Sequence, residues 1–263
     1  MIEDANKREI VVYTAIFGGY DTLKDPVCKP DGVDFICYTD SNNLKSDVWK
    51  IVKVNIDNLS PSIYNRRLKL LYPYTELKGY DYSLYVDGSI QIKSDVFTFL
   101  AKYIDKKPVL MNFKHPSNDD IFKEMISCIK EGRGNAEKLI EQYNIYINDG
   151  MPRYYGLSDN KIILRDNHSQ LGEILMNEWL DHVVKYSGRD QVCLSYVLWK
   201  HNIHYNYFDE NIEDNLFFET WPHVNDSKMQ WRWRKFKWFC DRHNICQGLI
   251  SFLNNKIKQH FIK

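Results

Sequence analysis

Tyr80-Asp81-Tyr82-Ser83-Leu84-Tyr85-Val86-Asp87-Gly88-Ser89 decides the fold of this chain. Its middle is a run of aromatic and branched side chains, the composition of a buried strand, and the run ends on a carboxylate followed by glycine. An α/β protein sets a charge at the mouth of its sheet in this way: the strand delivers one Asp to an exposed end, and glycine lets other groups approach closely. Asp87 is therefore the first candidate for chemistry.

Outward from this strand the chain alternates. Residues 10–17, 34–38 and 49–54 have strand composition and are bounded by turn formers. Ser60-Pro61 opens a helix that carries Ile63, Arg66, Arg67, Leu68, Lys69 and Leu71, with proline at the first helical position. A helix follows Ser94-Asp95, and 108–113 is a strand. Residues 119–130 and 135–146 are helices parted by Gly132-Arg133-Gly134. A short strand at 161–164, helices at 169–186 and 190–200, and a late strand at 204–208 complete the body. The pattern contains no repeat and no low-complexity linker, and it predicts one α/β domain with a mostly parallel central sheet that binds ligands at its carboxyl edge.

The 263 residues are enough to bury a full core. No stretch reaches the roughly 18 apolar residues of a membrane span, and Met1-Ile2-Glu3-Asp4 is not a signal peptide, so a cytoplasmic location is expected. Cys28, Cys37, Cys128, Cys193, Cys240 and Cys246 lack the spacing of a zinc site or a disulfide scaffold and read as free thiols, mainly buried.

A formal net charge of zero conceals an asymmetry. Residues 228–263 hold nine Lys or Arg against the single acid Asp241, leaving 26 bases and 34 acids in the rest. The expected boundary is thus a body of 1–227 and a basic tail of 228–263. Trp231-Arg232-Trp233-Arg234-Lys235-Phe236-Lys237-Trp238-Phe239 interleaves aromatics with bases, and Ile245, Leu249, Leu253, Ile257 and Phe261 recur every four residues. Such a tail either docks on the body as a terminal helix or lies on an anionic membrane surface, peripheral to its inner face. A basic tail on an acidic body offers no groove for nucleic acid.

Several constellations meet at the predicted carboxyl edge. Strand one ends in Thr14-Ala15-Ile16-Phe17-Gly18-Gly19-Tyr20-Asp21, a glycine turn with neither the P-loop ending nor dinucleotide spacing. Tyr38-Thr39-Asp40 ends strand two with a carboxylate suited to a base or ribose, or to the turn itself. Asn65-Arg66-Arg67-Leu68-Lys69 brings three cations within about one helical turn, either solvated or aimed at a diphosphate.

Thr14-Ala15, Phe17-Gly18, Tyr20-Asp21, Asn65-Arg66-Arg67 with Lys69, the 80–89 strand, His115-Pro116, Gly156-Leu157 with Arg165, and Ser187-Gly188-Arg189-Asp190-Gln191 occur in this order. The set, spread over 9–208, resembles the glycosyltransferase-like family long catalogued as a domain of unknown function, found in bacterial surface-polysaccharide loci and plant Golgi proteins. More distantly it is similar to retaining sugar transferases of the glycogenin and galactosyltransferase type. The resemblance implies a GT-A fold that binds a nucleotide-diphosphate sugar, a UDP-sugar above all, and moves the sugar to a hydroxyl of a glycan or lipid-linked acceptor in capsule or lipopolysaccharide assembly.

It also implies roles. Thr14, Phe17, Gly18, Tyr20, Asp21 and Asp40 would hold the nucleoside, and Arg66, Arg67 and Lys69 the diphosphate. Asp87, with Gly88 and Ser89, stands where the Asp-x-Asp motif begins, but Ser89 replaces the second carboxylate. A Mn²⁺ or Mg²⁺ ion on Asp87 would thus lose one of the oxygen ligands a hard cation prefers; His115, His204 or His223 are candidates to complete such a site. Asp190, between Arg189 and Gln191 at a helix start, would be the general base of an inverting enzyme or the stabiliser of an oxocarbenium-like centre in a retaining one. His115, Glu124, Arg165 and His168 are further candidates. A nucleotidyltransferase would need a glycine-rich basic first loop, which the chain lacks. A hydrolase using Asp87 and Asp190 as a carboxylate pair and a non-catalytic binding module at a membrane surface are the competing classes.

Overall fold

Strand β1 (Ile10–Ile16) is buried along its whole length. Its alternate residues feed two separate cores, Ile10, Val12 and Ile16 on one side and Val11, Tyr13 and Ala15 on the other, as the period of two of a strand covered on both faces demands. In the computed structural model, which describes residues 9–56, 59–224, 226–227, 232 and 236, β1 pairs in parallel with β2 (Val33–Thr39) and with β4 (Tyr82–Val86). Strand β3 (Lys50–Lys53) extends the parallel half beyond β2. The sheet order is β3-β2-β1-β4-β7-β6, with β6 at Met111–Lys114 and β7 at Ser158–Asp166.

The chain steps outward from β1 to β3 and then returns to the other side of β1 as β4. The carboxyl ends of β1 and β4 therefore flank a topological switch point, where an open α/β sheet leaves a crevice. The far half of the sheet departs from simple alternation. β7 runs antiparallel to both β4 and β6, so β6 is parallel to β4 and His115, just past β6, emerges at the same edge as Asp87. The expected strand at 204–208 is absent; Tyr207 makes only an isolated parallel bridge to Asn112. A second, two-stranded sheet joins β5 (Ile90–Ile92) to β8 (Phe218–Thr220). Strands so short carry almost no periodic signal in the sequence.

Helix boundaries match their caps. α1 (Pro61–Leu71) has proline in its first turn, and the Ser60 hydroxyl accepts from the Ile63 N–H. α2 (Val96–Ala101), α3 (Ile121–Lys130), α4 (Ala136–Asn148) and α5 (Gln170–Lys185) start after Asp95, Asp120, Asn135 and Ser169, each of which caps with its side chain. α6 (Asp190–Lys200) is the exception: Arg189 supplies no side-chain cap, and Asp190 sits in the first turn.

On one face of the sheet Leu68 and Leu70 of α1 pack with Trp179 of α5 and Cys193, Leu194 and Val197 of α6. On the other, Phe99 of α2 touches Phe113, Phe208, Phe217 and Phe218, which ties the late segment to the sheet. Cys37, Cys128 and Cys193 are buried free thiols and Cys28 is an exposed one; Cys240 and Cys246 lie outside the described residues.

The chain divides into Met1–Trp221 and Pro222–Lys263. The basic aromatic and amphipathic patterns of the tail lie outside the described residues, apart from Arg232 and Phe236. No helix among the described residues is long and apolar enough to cross a membrane.

Candidate active site

Side chains alternate along β4, so Tyr82, Leu84 and Val86 enter one core while Tyr85 enters the other, beneath α1 and α6. Asp87, two residues past Tyr85, points to that same helical side. The Tyr85 hydroxyl donates to Asp87 Oδ1 at 2.6 Å. Lys69 comes down from α1: its ammonium lies 3.0 Å from Asp190 Oδ2, 4.0 Å from Asp87 Oδ1 and 5.0 Å from the centre of the Tyr85 ring. Strand end, helix α1 and the start of α6 thus meet at one ammonium.

The support beneath Lys69 is itself buried. Its carbonyl accepts from the Tyr13 hydroxyl at 2.7 Å and from Arg165 Nη1 at 2.8 Å, and Arg165 also donates to the Tyr13 hydroxyl. Arg165 is completely buried, so its candidacy for contact with a ligand is corrected: it fastens α1 to the sheet. Because β7 runs antiparallel to β4, the turn after β7 lies at the opposite edge of the sheet. His168 in that turn is 3.5 Å from Asp81, at the start of β4, far from the crevice.

The two carboxyls are shifted in opposite directions. Burial raises the Asp87 carboxyl above its ordinary range; Lys69 and the Tyr85 hydroxyl oppose this, while Asp190 and Asp21 add to it. Burial also works against ionised Asp190, but Lys69, Arg66 and Arg189 reverse the effect and hold it well below the usual carboxylate range. The surroundings therefore push the two carboxyls in opposite directions.

Arg66 and Lys69 are three residues apart and share a helix face, whereas Arg67 is turned to solvent. Arg66 donates to the Ser62 carbonyl at 3.1 Å, and its buried Nε has no hydrogen-bond partner among the described residues. Arg189 reaches Gln191 Oε1 at 3.3 Å and lies 3.8 Å from Glu124. The Ser187 hydroxyl, accepting from the Arg189 N–H and donating to buried Gln142, and the Trp179 indole, donating to the Asp190 carbonyl at 2.8 Å, fix this turn.

The glycine turn after β1 approaches from the opposite wall. Gly18 and Gly19 have φ of 62° and 63°, a conformation that glycine adopts without steric cost. Both oxygens of Asp40 accept from the Gly18 N–H, at 3.1 and 3.0 Å, so Asp40 holds the turn. Asp21 packs so tightly on Gly88 that a Cβ there would come within 2.7 Å of the Asp21 Cβ. Tyr20 is exposed at the turn, while Thr14 and Phe17 are buried in the sheet and its flank. Phe17 meets Tyr64 edge-on and is not open to a nucleoside.

His115 stands apart from this cluster. Its Nδ1 accepts from the backbone of Ser117 and Asn118, and its Nε2 faces buried Glu124 at 3.6 Å. Glu124 accepts from Asn118 at 2.7 Å and lies 3.7 Å from Arg133. His204 is exposed and stacks on Tyr155. His223 belongs to the second unit. The Ser89 side chain is buried, and among the described residues no three His, Cys, Asp or Glu side chains gather as a metal site. Asp87 faces an ammonium and a phenol, so a divalent cation there would have one carboxylate of the Asp87-Gly88-Ser89 turn and would depend on substrate phosphates and water for its other oxygen ligands.

Sequence reasoning did not assign Tyr85 or Lys161 a part in the site. Tyr85 was detectable from the period of two; Lys161, whose carbonyl accepts from the Asp87 N–H at 2.8 Å, depends on the antiparallel course of β7.

The TOD1/MUCI70 glycosyltransferase-like domain model matches residues 2–223. The chain belongs to this family. A curated relative, the probable hexosyltransferase MUCI70 of Arabidopsis thaliana, is 22% identical over 223 residues, covering 75% of this chain and 38% of the relative. This family member therefore spans well under half of that protein's length. Among solved structures, the bifunctional glycosyltransferase WbbM, in its apo form, is similar with a TM-score of 0.45 at 12% identity, over 76% of this chain and 39% of WbbM.

Proposed function

We propose that this protein is a hexosyltransferase of GT-A type that moves a hexose from a nucleotide-diphosphate sugar, a UDP-sugar first among them, to a hydroxyl of a glycan or lipid-linked acceptor. The carrying observation is the Lys69 ammonium at the sheet's switch point, 3.0 Å from Asp190 and 4.0 Å from Asp87. Breaking a sugar–phosphate bond develops negative charge on the departing diphosphate, and Arg66, Lys69 and Arg189 are cations positioned to lower that barrier electrostatically. Asp190, kept ionised, suits a developing oxocarbenium charge better than the work of a general base, because Lys69, Arg66 and Arg189 reduce its basicity.

Assembly of surface polysaccharide at the inner face of a membrane, with the basic tail against anionic lipid, is the setting that the tail's composition supports.

The test is nucleoside diphosphate release from a panel of nucleotide sugars with oligosaccharide acceptors. Asp87→Asn and Asp190→Asn are expected to reduce release at least about a hundredfold while the far-UV spectrum is retained. Full activity in both variants would sink the site assignment.

A further inference from the structure

The β6 end of the catalytic edge holds a cleft that the donor chemistry does not use. It is about 380 Å³ in volume, and Lys114, His115, Tyr207, Phe208, Asp209 and Asn211 are among the residues that line it. That volume lies within the roughly 300–1,000 Å³ of small-ligand sites. Since β6 is parallel to β4 and one strand removed from it, the cleft opens at the same edge as Asp87, two strand spacings or about 10 Å away. Lys161, on the intervening β7, links the two: its carbonyl accepts from the Asp87 N–H, and its ammonium pairs with buried Asp159 at 2.8 Å.

A second observation marks the same flank. Tyr154, on the loop leading to β7, has φ of 59°, the left-handed region that costs a tyrosine about 1–3 kcal/mol. Buried Asp120 holds it there, accepting from the Tyr154 N–H and from Arg153 Nε at 2.8 Å each. The residue so positioned is 59% exposed, and the Lys123 ammonium and Arg153 guanidinium lie over its ring at 5.1 and 5.2 Å from the centre. Three residues on, the Leu157 carbonyl accepts from the His115 N–H and the Tyr207 hydroxyl, both lining the cleft. Gly156 is required between them, because a Cβ there would meet Tyr205 at 2.8 Å.

We infer that this flank is the subsite for a non-reacting sugar residue of the acceptor, which is an uncharged oligosaccharide and not a monosaccharide. The reach from Asp87 to the cleft exceeds one sugar ring. The lining mixes Lys114 with Asp209, and Glu210 is already neutralised by Lys102 at 2.7 Å, so no net charge selects an ionic ligand. Hydroxyls find donors and acceptors in Lys114, Asp209 and Asn211, and Tyr154 offers an apolar ring with a polar tip. The inference rests on the transferase proposed above, but saccharide binding is measured without nucleotide.

The probes are glucose, galactose and their β-linked di- and trisaccharides, observed by saturation-transfer NMR on the full chain. At least one di- or trisaccharide is expected to bind about tenfold more tightly than its monosaccharide. Tyr154→Gly, which keeps the positive φ, and Asp209→Ala are expected to weaken that binding at least fivefold, with Tyr154→Phe restoring it. Thermal stabilisation by UDP is expected to be unchanged in all three variants. No binding by any probe, equal binding of mono- and trisaccharide, or undiminished binding in both Tyr154→Gly and Asp209→Ala would overturn the inference. Absence of any nucleotide effect with saccharide binding intact would instead overturn the transferase and leave the saccharide site standing.

Discussion

Asp87 ends a strand and Asp190 begins a helix, and although both face the Lys69 ammonium they are driven in opposite directions. Asp190 has the shorter ion pair and two further cations nearby, Arg66 and Arg189, which outweigh its burial. Asp87 has the longer approach to Lys69 and two neighbouring carboxylates, Asp190 and Asp21, and its burial prevails. The difference teaches that a residue's charge state here is set by what other elements bring to it, since both are aspartates at the ends of regular elements.

Removing the shared cation breaks the comparison most severely. Lys69→Met leaves Asp190 and Asp87 facing each other, and by the cost of breaking a buried pair the variant should lose about 3–5 kcal/mol of stability. Urea denaturation checks this, and a loss below about 1 kcal/mol would show that the ammonium does not hold the crevice. Turnover in the same variant should fall below detection.

The two carboxylates should then differ in what their amides cost. Asp190→Asn removes the 3.0 Å partner of Lys69 and should destabilise by roughly 1.5–3 kcal/mol, the range of charge-assisted hydrogen bonds. Asp87→Asn, which removes only the 4.0 Å neighbour of Lys69, should cost less than about half of that. Equal losses by thermal or urea unfolding would refute the asymmetry.

Arg66→Gln should sharpen the contrast from the ligand's side, weakening UDP binding by about tenfold through loss of a charge-assisted contact. It should also let the Asp190 carboxyl titrate at higher pH, visible by NMR.

Stability against pH carries the signs separately. Asp190 is depressed in the folded state, so its contribution is present above the ordinary carboxylate value of about 4 and is lost as pH falls further. Asp87 is raised, so its contribution is present below about pH 4 and is lost as pH rises through its folded value. Unfolding midpoints across acid pH should show Asp190→Asn less sensitive below about pH 4 and Asp87→Asn less sensitive above it. Parallel profiles for both variants and the unaltered protein would contradict the opposed shifts. The smallest effect is expected at Arg67→Gln, within about twofold of the unaltered protein in UDP affinity, since a solvated cation contributes little.

The parallel half of the sheet was legible because residues 10–17, 34–38 and 82–86 read as apolar runs between turn formers, the mark of burial on both faces, and the edge strand within 49–54 has strand composition although it is only partly buried. Asp87 at a strand end and Asp190 at a helix start were legible for the same local reason. Arg66 and Arg67 were not distinguishable by type, although their spacing from Lys69 separates them once α1 is known. Thr14 and Phe17 looked like turn residues of a nucleoside site, yet the strand and its end carry both side chains into the interior. Arg165 stood among the further candidates for the chemistry, and the fold makes it a buried strut beneath Lys69.

By itself the sequence determined the alternation of elements, the caps and the placement of one carboxylate at the carboxyl end of a buried strand, all of which depend on neighbours within a few residues. Only tertiary structure decided that Lys69 and Asp190, 121 residues apart, form one ion pair beside Asp87, that β7 runs antiparallel, and that Tyr154 and the cleft share the catalytic edge. Strand direction and long-range charge pairing arise from packing elements against one another, and packing leaves no period in the chain.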